Sequence, residues 1–503
     1  MVEGRISSLS DGIALIENMR GVALHSTVRV GKSRIPGTVI AINGDTAKAL
    51  LFDNWQDLLI GDRAVSDNIP LSVELGPGLI GHTFDALLRP IGSRDKNEGA
   101  LNKRKRWVFV PKRDFGDRVC SGDIVGYVRE TLSVRHAITV PQGLCGTVVE
   151  LNSGSFCVND RIGKIKKDDG TIVDISLLQL HDLSARRSSG MLAPSKNVFC
   201  GLLATDVFFP IEKGGVALIV GDTASSASDM LTRLTLESDS DVNVVVLCGK
   251  SLNVIYSRLR EYKTHMARQK TVFILSPQSD RFEMRKKSLE SAFAVAEYFR
   301  ETGLNVLLSI DTINAILELA PKNATLSCLT DLLKRAARTE SAAKNASYAS
   351  LTVVTTASQS LVAALEQIKS SVGTYIELEC ENCYPTNGSI NFDGSFSKSN
   401  CRNASADGIV HALINISDGK DSESAYLARL ALKAILNADF LSAHAKDVFD
   451  AQTLVSSERA FLDSVLRLCR EAERSPTKCR QVLTDILSLC ENITPEITEG
   501  TIT

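Results

Sequence analysis

Five apolar runs recur through the middle of the chain: Val216-Ala217-Leu218-Ile219-Val220, Val244-Val245-Val246-Leu247, Val272-Phe273-Ile274-Leu275, Val306-Leu307-Leu308-Ser309-Ile310 and Leu351-Thr352-Val353-Val354. Stretches of helical period lie between them, such as Arg285 to Glu301 and Leu329 to Arg338. Continuous apolar strands alternating with helices predict a parallel sheet covered on both faces. The pattern before residue 190 is different. Gly12-Ile13-Ala14-Leu15-Ile16, Thr27-Val28-Arg29-Val30 and Gly37-Thr38-Val39-Ile40-Ala41-Ile42 are short β-rich runs with turns such as Asn43-Gly44-Asp45 between them. That spacing predicts a small barrel over residues 1–70. Residues 105–187 are again strand-rich, punctuated by Gly116-Asp117, Gly122-Asp123, Gly143, Gly146 and Asp169-Gly170, and read as a second all-β unit. Leu427, Leu430, Ile435, Phe461, Val465 and Leu468 carry a helical period in the last hundred residues. The Ser-, Asn- and Gly-rich stretch from Asn387 to Ala406 reads as a loop.

Length and charge narrow the class. A chain of 503 residues is too long for one core and predicts several domains. Hydrophobic residues at 44% and charged residues at 23% are ordinary for a globular protein. With 57 Lys plus Arg against 59 Asp plus Glu the formal net charge is −2, so no basic balance points to nucleic acid. No apolar stretch has the roughly 18 residues of a membrane span. The start, Met1-Val2-Glu3-Gly4-Arg5, does not read as a signal peptide. Twelve irregularly spaced cysteines predict reduced thiols in a cytosolic protein rather than a disulfide framework.

An ordered series of motifs then resembles one family. Leu71-Ser72-Val73-Glu74-Leu75-Gly76-Pro77-Gly78-Leu79-Ile80-Gly81, followed by Phe84-Asp85 and Arg89-Pro90-Ile91, is similar to the A-subunit signature of V-type and archaeal-type rotary ATPases. Trp107-Val108-Phe109-Val110-Pro111, Gly122-Asp123-Ile124-Val125-Gly126 and Gly143-Leu144-Cys145-Gly146-Thr147-Val148 resemble the β-rich insertion of those A (alpha) subunits. Phe208-Phe209-Pro210-Ile211 with Lys213-Gly214-Gly215 resembles the lead-in to the phosphate loop, and Ala296-Glu297-Tyr298-Phe299-Arg300 the helix before the Mg-binding strand. The resemblance implies a multidomain α/β chain: an N-terminal small β-barrel (1–70), a connection into the core (71–104), an inserted β-rich domain (105–187), a P-loop NTPase-like α/β core with a parallel sheet (188–400) and a C-terminal helical domain (401–503). It further implies Mg-ATP or Mg-ADP as ligand. The implied partners are B-type subunits in a hetero-hexameric ring and central and peripheral stalk subunits, with a cytoplasmic place held to the membrane through them.

The chemistry departs from that family. ATP hydrolysis uses a loop G-x-x-x-x-G-K-[ST], whose backbone N–H groups and lysine hold the phosphates and whose hydroxyl binds Mg²⁺. Here the loop reads Gly221-Asp222-Thr223-Ala224-Ser225-Ser226-Ala227-Ser228. Only Gly221 and Ser228 fit; Ser226 replaces a glycine, Ala227 the lysine, and Asp222 adds a negative charge. Hydrogen bonds to charged groups are worth about 1.5–3 kcal/mol each, so losing the lysine predicts nucleotide binding weakened by about tenfold or more. Where the family carries a catalytic glutamate in Gly-Glu-Arg, this chain has Gly249-Lys250-Ser251, and a lysine cannot polarise the attacking water as a carboxylate does. Asp311 fits the Mg-coordinating aspartate, but Ala315 stands where the family has an arginine. No catalytic position is intact by this reading. The expectation for Lys250 is a solvent-facing side chain; the alternative turns it back into the pocket in place of the loop lysine. Phe392 and Phe396 read either as an adenine contact or as core aromatics.

Two smaller signals carry less. Cys380-x-x-Cys383 with Cys401 nearby could suggest zinc, but a structural site usually shows four ligands at regular spacing and His411 is the only nearby fourth candidate, so surface-loop thiols and no zinc are expected. Lys103-Arg104-Lys105-Arg106 reads as a solvated turn or subunit contact. Three functions stay open: a non-catalytic A-like subunit of a rotary ring, an active catalytic A subunit of a V-type ATP synthase, and a stand-alone scaffold derived from the fold.

Overall fold

The computed structural model describes residues 1–92, 99–183, most of 191–221, 224–317, 324–340, 348–358, 368–379 and 389–399, scattered helical positions between 408 and 470, and 479–491. The N-terminal strands, from Val2–Ser10 to Arg63–Pro70, form a closed six-stranded barrel. Alternation drives the closure. In Ser26–Val30 and Thr46–Leu51 every second side chain is buried, and Val28, Val30, Ala47, Ala49 and Leu51 fill the interior.

The chain then enters the core sheet before it leaves for the insertion. Thr83–Phe84 adds an edge strand parallel to Thr271–Ser276. Ser72–Leu75 pairs antiparallel with Gln179–Asp182, so the outgoing and returning segments of the insertion lie side by side at its neck. The insertion itself is two four-stranded antiparallel sheets. Its strand Arg106–Pro111 turns Trp107 and Phe109 into the core and leaves Val108 and Val110 exposed. The basic run is tied down: Lys103 pairs with Glu74 at 2.9 Å, and the Lys105 ammonium stands 3.9 Å from the centre of the Trp107 ring.

The third unit is the predicted sheet. Its strands run in the order Ser389–Ser397, Thr374–Glu379, Val216–Gly221, Tyr348–Ser358, Asn305–Asp311, Val242–Cys248, Thr271–Ser276 and Thr83–Phe84. All of these neighbours pair in parallel except Ser389–Ser397, which is antiparallel to Thr374–Glu379. Each of the five apolar runs lies in one of the strands, and Val242–Cys248 and Thr271–Ser276 are buried along their whole length. Helices Ala224–Glu237, Leu252–Thr264 and Phe282–Glu301 connect them.

Two expectations are corrected here. Asn387 to Ala406 is not simply a loop, because Ser389–Ser397 runs through it as the edge strand; its backbone finds a ladder that its polar composition does not advertise. The helix near Leu329 is Ala324–Leu333, and the chain after it turns into strand Ala337–Glu340. Helical positions from the last hundred residues, among them Ile409, Leu413, Ile435, Val465 and Leu483, share one apolar cluster with Ala217, Ile219, Leu231 and Leu234 of the core. Among the described residues no helix is long and apolar enough to cross a membrane.

Candidate functional site at the carboxyl edge of the sheet

Parallel strands deliver their carboxyl ends to one edge, and in open α/β sheets that edge is where ligands bind. Val216–Gly221 ends at the start of the phosphate-loop segment, and helix Ala224–Glu237 begins three residues later. Val242–Cys248 ends just before Lys250. Asn305–Asp311 ends on the carboxylate itself, and Tyr348–Ser358 runs alongside it.

Four side chains meet here, from helix Ala224–Glu237, the turn after Val242–Cys248, the end of Asn305–Asp311 and strand Tyr348–Ser358. The Ser228 hydroxyl donates to Asp311 Oδ1 at 2.6 Å, and Thr356 Oγ1 donates to the same oxygen at 3.1 Å. Lys250 Nζ donates to Asp311 Oδ2 at 2.6 Å and to Ser228 Oγ at 2.5 Å. Asp311 and Lys250 are both largely buried, with side chains 3% and 10% exposed. The expectation of a solvent-facing Lys250 is therefore corrected. Gly249 takes a left-handed φ of 72°, and the chain behind it is held by Gly249 N–H donating to Ser276 O and Gln278 N–H donating to Lys250 O. The physical reason lies in Asp311: a buried carboxylate is costly unless a cation or several donors neutralise it.

The rest of the loop is placed as follows. Gly221 closes its strand and is buried. Asp222 and Thr223 lie outside the described residues, as do the side chains of Ala224 and Ser225 at the helix start. Ser226 is half-buried in the first turn. Ala227, at the expected lysine position, is buried in the apolar cluster with Leu231 and Leu234. Ala315 sits in the short helix Asn314–Leu317, and its side chain is outside the described set. Nearby, Asn314 Oδ1 accepts from the Ser358 N–H at 3.0 Å and Thr312 Oγ1 donates to Thr356 O at 2.7 Å, which fixes the turn after Asp311. Phe396 stacks on Tyr375 with ring centres 5.6 Å apart; the Phe392 side chain, Cys380, Cys383, Cys401 and His411 lie outside the described residues. Among the described residues no group of three or more His, Cys, Asp or Glu is arranged to hold a metal.

Thr356 escaped the sequence reading. It lies two residues past the run Leu351–Val354, and the strand register that pairs Thr355 with Ile310 brings it level with Asp311. Beneath the site, Cys248 is no nucleophile: burial pushes its thiol up to about 12.

A divalent ion here would need the oxygens of Asp311 and Ser228 that the Lys250 ammonium now holds. With Ala227 turned into the core, the described loop residues present no cation of their own to a phosphate. Among the described residues, Asp311 and Ser228 are engaged by Lys250 rather than left open to a metal or phosphate.

Comparison with known proteins agrees with the architecture. Residues 99–182 match the ATP synthase alpha/beta subunit barrel-sandwich domain, and residues 201–367 match the nucleotide-binding domain of the ATP synthase alpha/beta family. The V-type ATP synthase alpha chain of Acetivibrio thermocellus is 34% identical over 330 residues, covering 62% of this chain and 56% of that one. The V-type ATP synthase alpha chain of Thermoanaerobacter sp. is 32% identical over the same shares, and alpha chain 1 of Clostridium tetani is 33% identical over 327 residues, 61% of this chain and 55% of that one. The match thus spans little more than half the length of these relatives. A barrel, a barrel-sandwich insertion and a parallel sheet follow one another in this order, and over the matched residues the chain is similar to the ATP synthase alpha/beta family and to V-type alpha chains.

Proposed function

We propose that this chain is an A-type (alpha) subunit of a V-type rotary ATPase or ATP synthase that fills a ring position without turning over ATP. The observation that carries the reading is the ammonium at position 250. A hydrolytic site needs a carboxylate there to polarise water, and Lys250 instead lies 2.6 Å from Asp311. Ala227 in the apolar cluster supports it, because no lysine at that place draws in the phosphates. Nucleotide binding is weak or absent by this reading, and a ring position of this kind serves assembly. Its partners are B-type subunits in a hetero-hexameric ring together with central and peripheral stalk subunits. The chain is then cytoplasmic and peripheral to the membrane, in an assembly that couples ATP hydrolysis or synthesis to proton or sodium transport at other, intact sites.

The test is co-expression with B-type subunits, purification of the ring and an ATPase assay. The reading expects a ring containing this chain whose turnover does not exceed that of an Asp311→Ala version. Turnover in the wild-type ring that Asp311→Ala abolishes would make the chain an active catalytic subunit. A chain that never enters a ring with B-type subunits would leave only a free-standing scaffold.

A further inference from the structure

We infer that the Lys250 ammonium is a resident cation standing where a divalent metal would sit, so that Asp311 and Ser228 take up a metal ion only after Lys250 is removed. The inference rests on the reading above in one respect, that this edge of the sheet descends from a nucleotide site. Its geometry is independent of turnover. Three elements far apart in sequence converge on one small volume: Ser228 from a helix, Lys250 from a strand-to-helix turn and Asp311 from a strand end. Nζ is within hydrogen-bond distance of both oxygens, at 2.5 Å from Ser228 Oγ and 2.6 Å from Asp311 Oδ2. A hydroxyl and a carboxylate oxygen set together are hard donors of the kind Mg²⁺ selects, at about 2.0–2.1 Å. An ammonium satisfies the same two oxygens at hydrogen-bond length.

The remaining contacts leave no room for both cations. Asp311 Oδ1 already accepts from Ser228 and Thr356, and Oδ2 faces Nζ. The two side chains of the ion pair are almost closed to water, so a second positive charge beside Nζ would be repelled with little screening. Lysine also differs from a metal ion in being covalently attached. It neutralises Asp311 at every nucleotide and Mg²⁺ concentration, and the site is set in one state. The two bonds that Nζ makes join the loop helix to the strand carrying Asp311, as a shared metal would.

The experiment uses the full chain, Mn²⁺ as a spectroscopic probe and Mg²⁺ as a stabiliser. Lys250→Met removes the charge and keeps most of the unbranched apolar stem. Removing one partner of a buried ion pair is strongly destabilising, so this variant loses about 5 °C or more of Tm in metal-free buffer. Millimolar Mg²⁺ restores part of that loss, and Mn²⁺ binds one per chain with an affinity about tenfold or more tighter than to wild type. Lys250→Met/Asp311→Asn, with no charge to neutralise, regains stability without metal and loses the Mn²⁺ site. Wild type shows neither Mg²⁺ stabilisation nor any Mn²⁺ that Asp311→Asn removes. Either effect in wild type would overturn the inference, and so would a Lys250→Met chain that Mg²⁺ does not rescue. If Lys250→Met does not fold, the comparison of wild type with Asp311→Asn decides alone: Mn²⁺ bound by wild type and lost in Asp311→Asn refutes, and no difference supports. ATPase turnover of the assembled ring reports only on the functional reading, and the Mn²⁺ count on the isolated chain only on the cation's place.

Discussion

Glu130 is the residue whose loss should loosen the inserted domain from the core. It follows strand Ile124–Arg129 of the insertion, and its side chain is almost wholly buried. Oε1 accepts from the N–H groups of Gly78 at 2.7 Å and Ile80 at 3.1 Å, at the end of the Gly-Pro-Gly run and two residues past it, outside the insertion. Oε2 accepts from His136 Nδ1 at 2.5 Å, and His136 Nε2 lies 2.6 Å from the hydroxyl of Tyr298 on core helix Phe282–Glu301. Glu130→Ala orphans three donors at once. A buried unsatisfied group costs about 1–3 kcal/mol, so three of them, with imperfect additivity, should cost about 3–5 kcal/mol. Glu130→Gln keeps one acceptor oxygen and should lose about half as much, since charge-assisted bonds are about twice as strong as neutral ones. Urea unfolding followed by Trp107 fluorescence measures both, because Trp107 is buried in the insertion. The only other tryptophan is Trp55, so a Trp55→Phe background isolates the signal. A loss below about 1 kcal/mol for Glu130→Ala, less than one buried unsatisfied group is worth, would refute the reasoning. So would Glu130→Gln losing as much as Glu130→Ala.

Further outcomes follow from other contacts. Burial alone would raise the Glu130 carboxyl, but attraction to His136 and the three hydrogen bonds outweigh it and hold it below the usual carboxylate range. With its folded value depressed, its contribution is full above an unfolded value of about 4.3 and is lost as pH falls through the lower folded one, so acid titration of wild type should lose more insertion stability below about pH 4 than Glu130→Gln does. Arg335→Ala breaks the buried pair in which Nε and a terminal nitrogen reach Glu297 at 2.7 and 2.5 Å, and should cost about 3–5 kcal/mol in urea unfolding of the core. Gly126→Ala would set a methyl 2.5 Å from the Val110 carbonyl oxygen and 2.4 Å from the Phe109 ring. It should cost the insertion about 1–3 kcal/mol, read as a lower Tm. Cys145, lowered by the hydrogen bond from Cys120 and by the Ser121 N–H, should react with iodoacetamide before Cys120, whose thiol that same contact raises; mass spectrometry of early time points gives the order.

Much of the fold was legible because its signals are local. Each apolar run in the middle of the chain is a strand buried on both faces, and Phe282–Glu301 is long enough to show its period. The edge strand Ser389–Ser397 was not legible, since an edge strand is held by backbone ladder bonds and tolerates Ser, Asn and Gly. The site was legible by position and not by contact. Asp311 and Ser228 could be named from one sequence, but the turn of Lys250 towards them joins residues 61 apart and depends on which buried charge lacks a partner. Thr356 needed strand register, which no single-sequence pattern provides.

The closed barrel at the amino end has a consequence for neighbours. Six strands that complete their own circle leave no row of unpaired amide groups, so no foreign strand can be spliced onto this part of the chain. Whatever abuts the barrel must grip it by side chains and turn tips, such as the outward-pointing Leu59 and Ile60. Contacts of that kind can be remade by point substitution without unravelling the wall behind them.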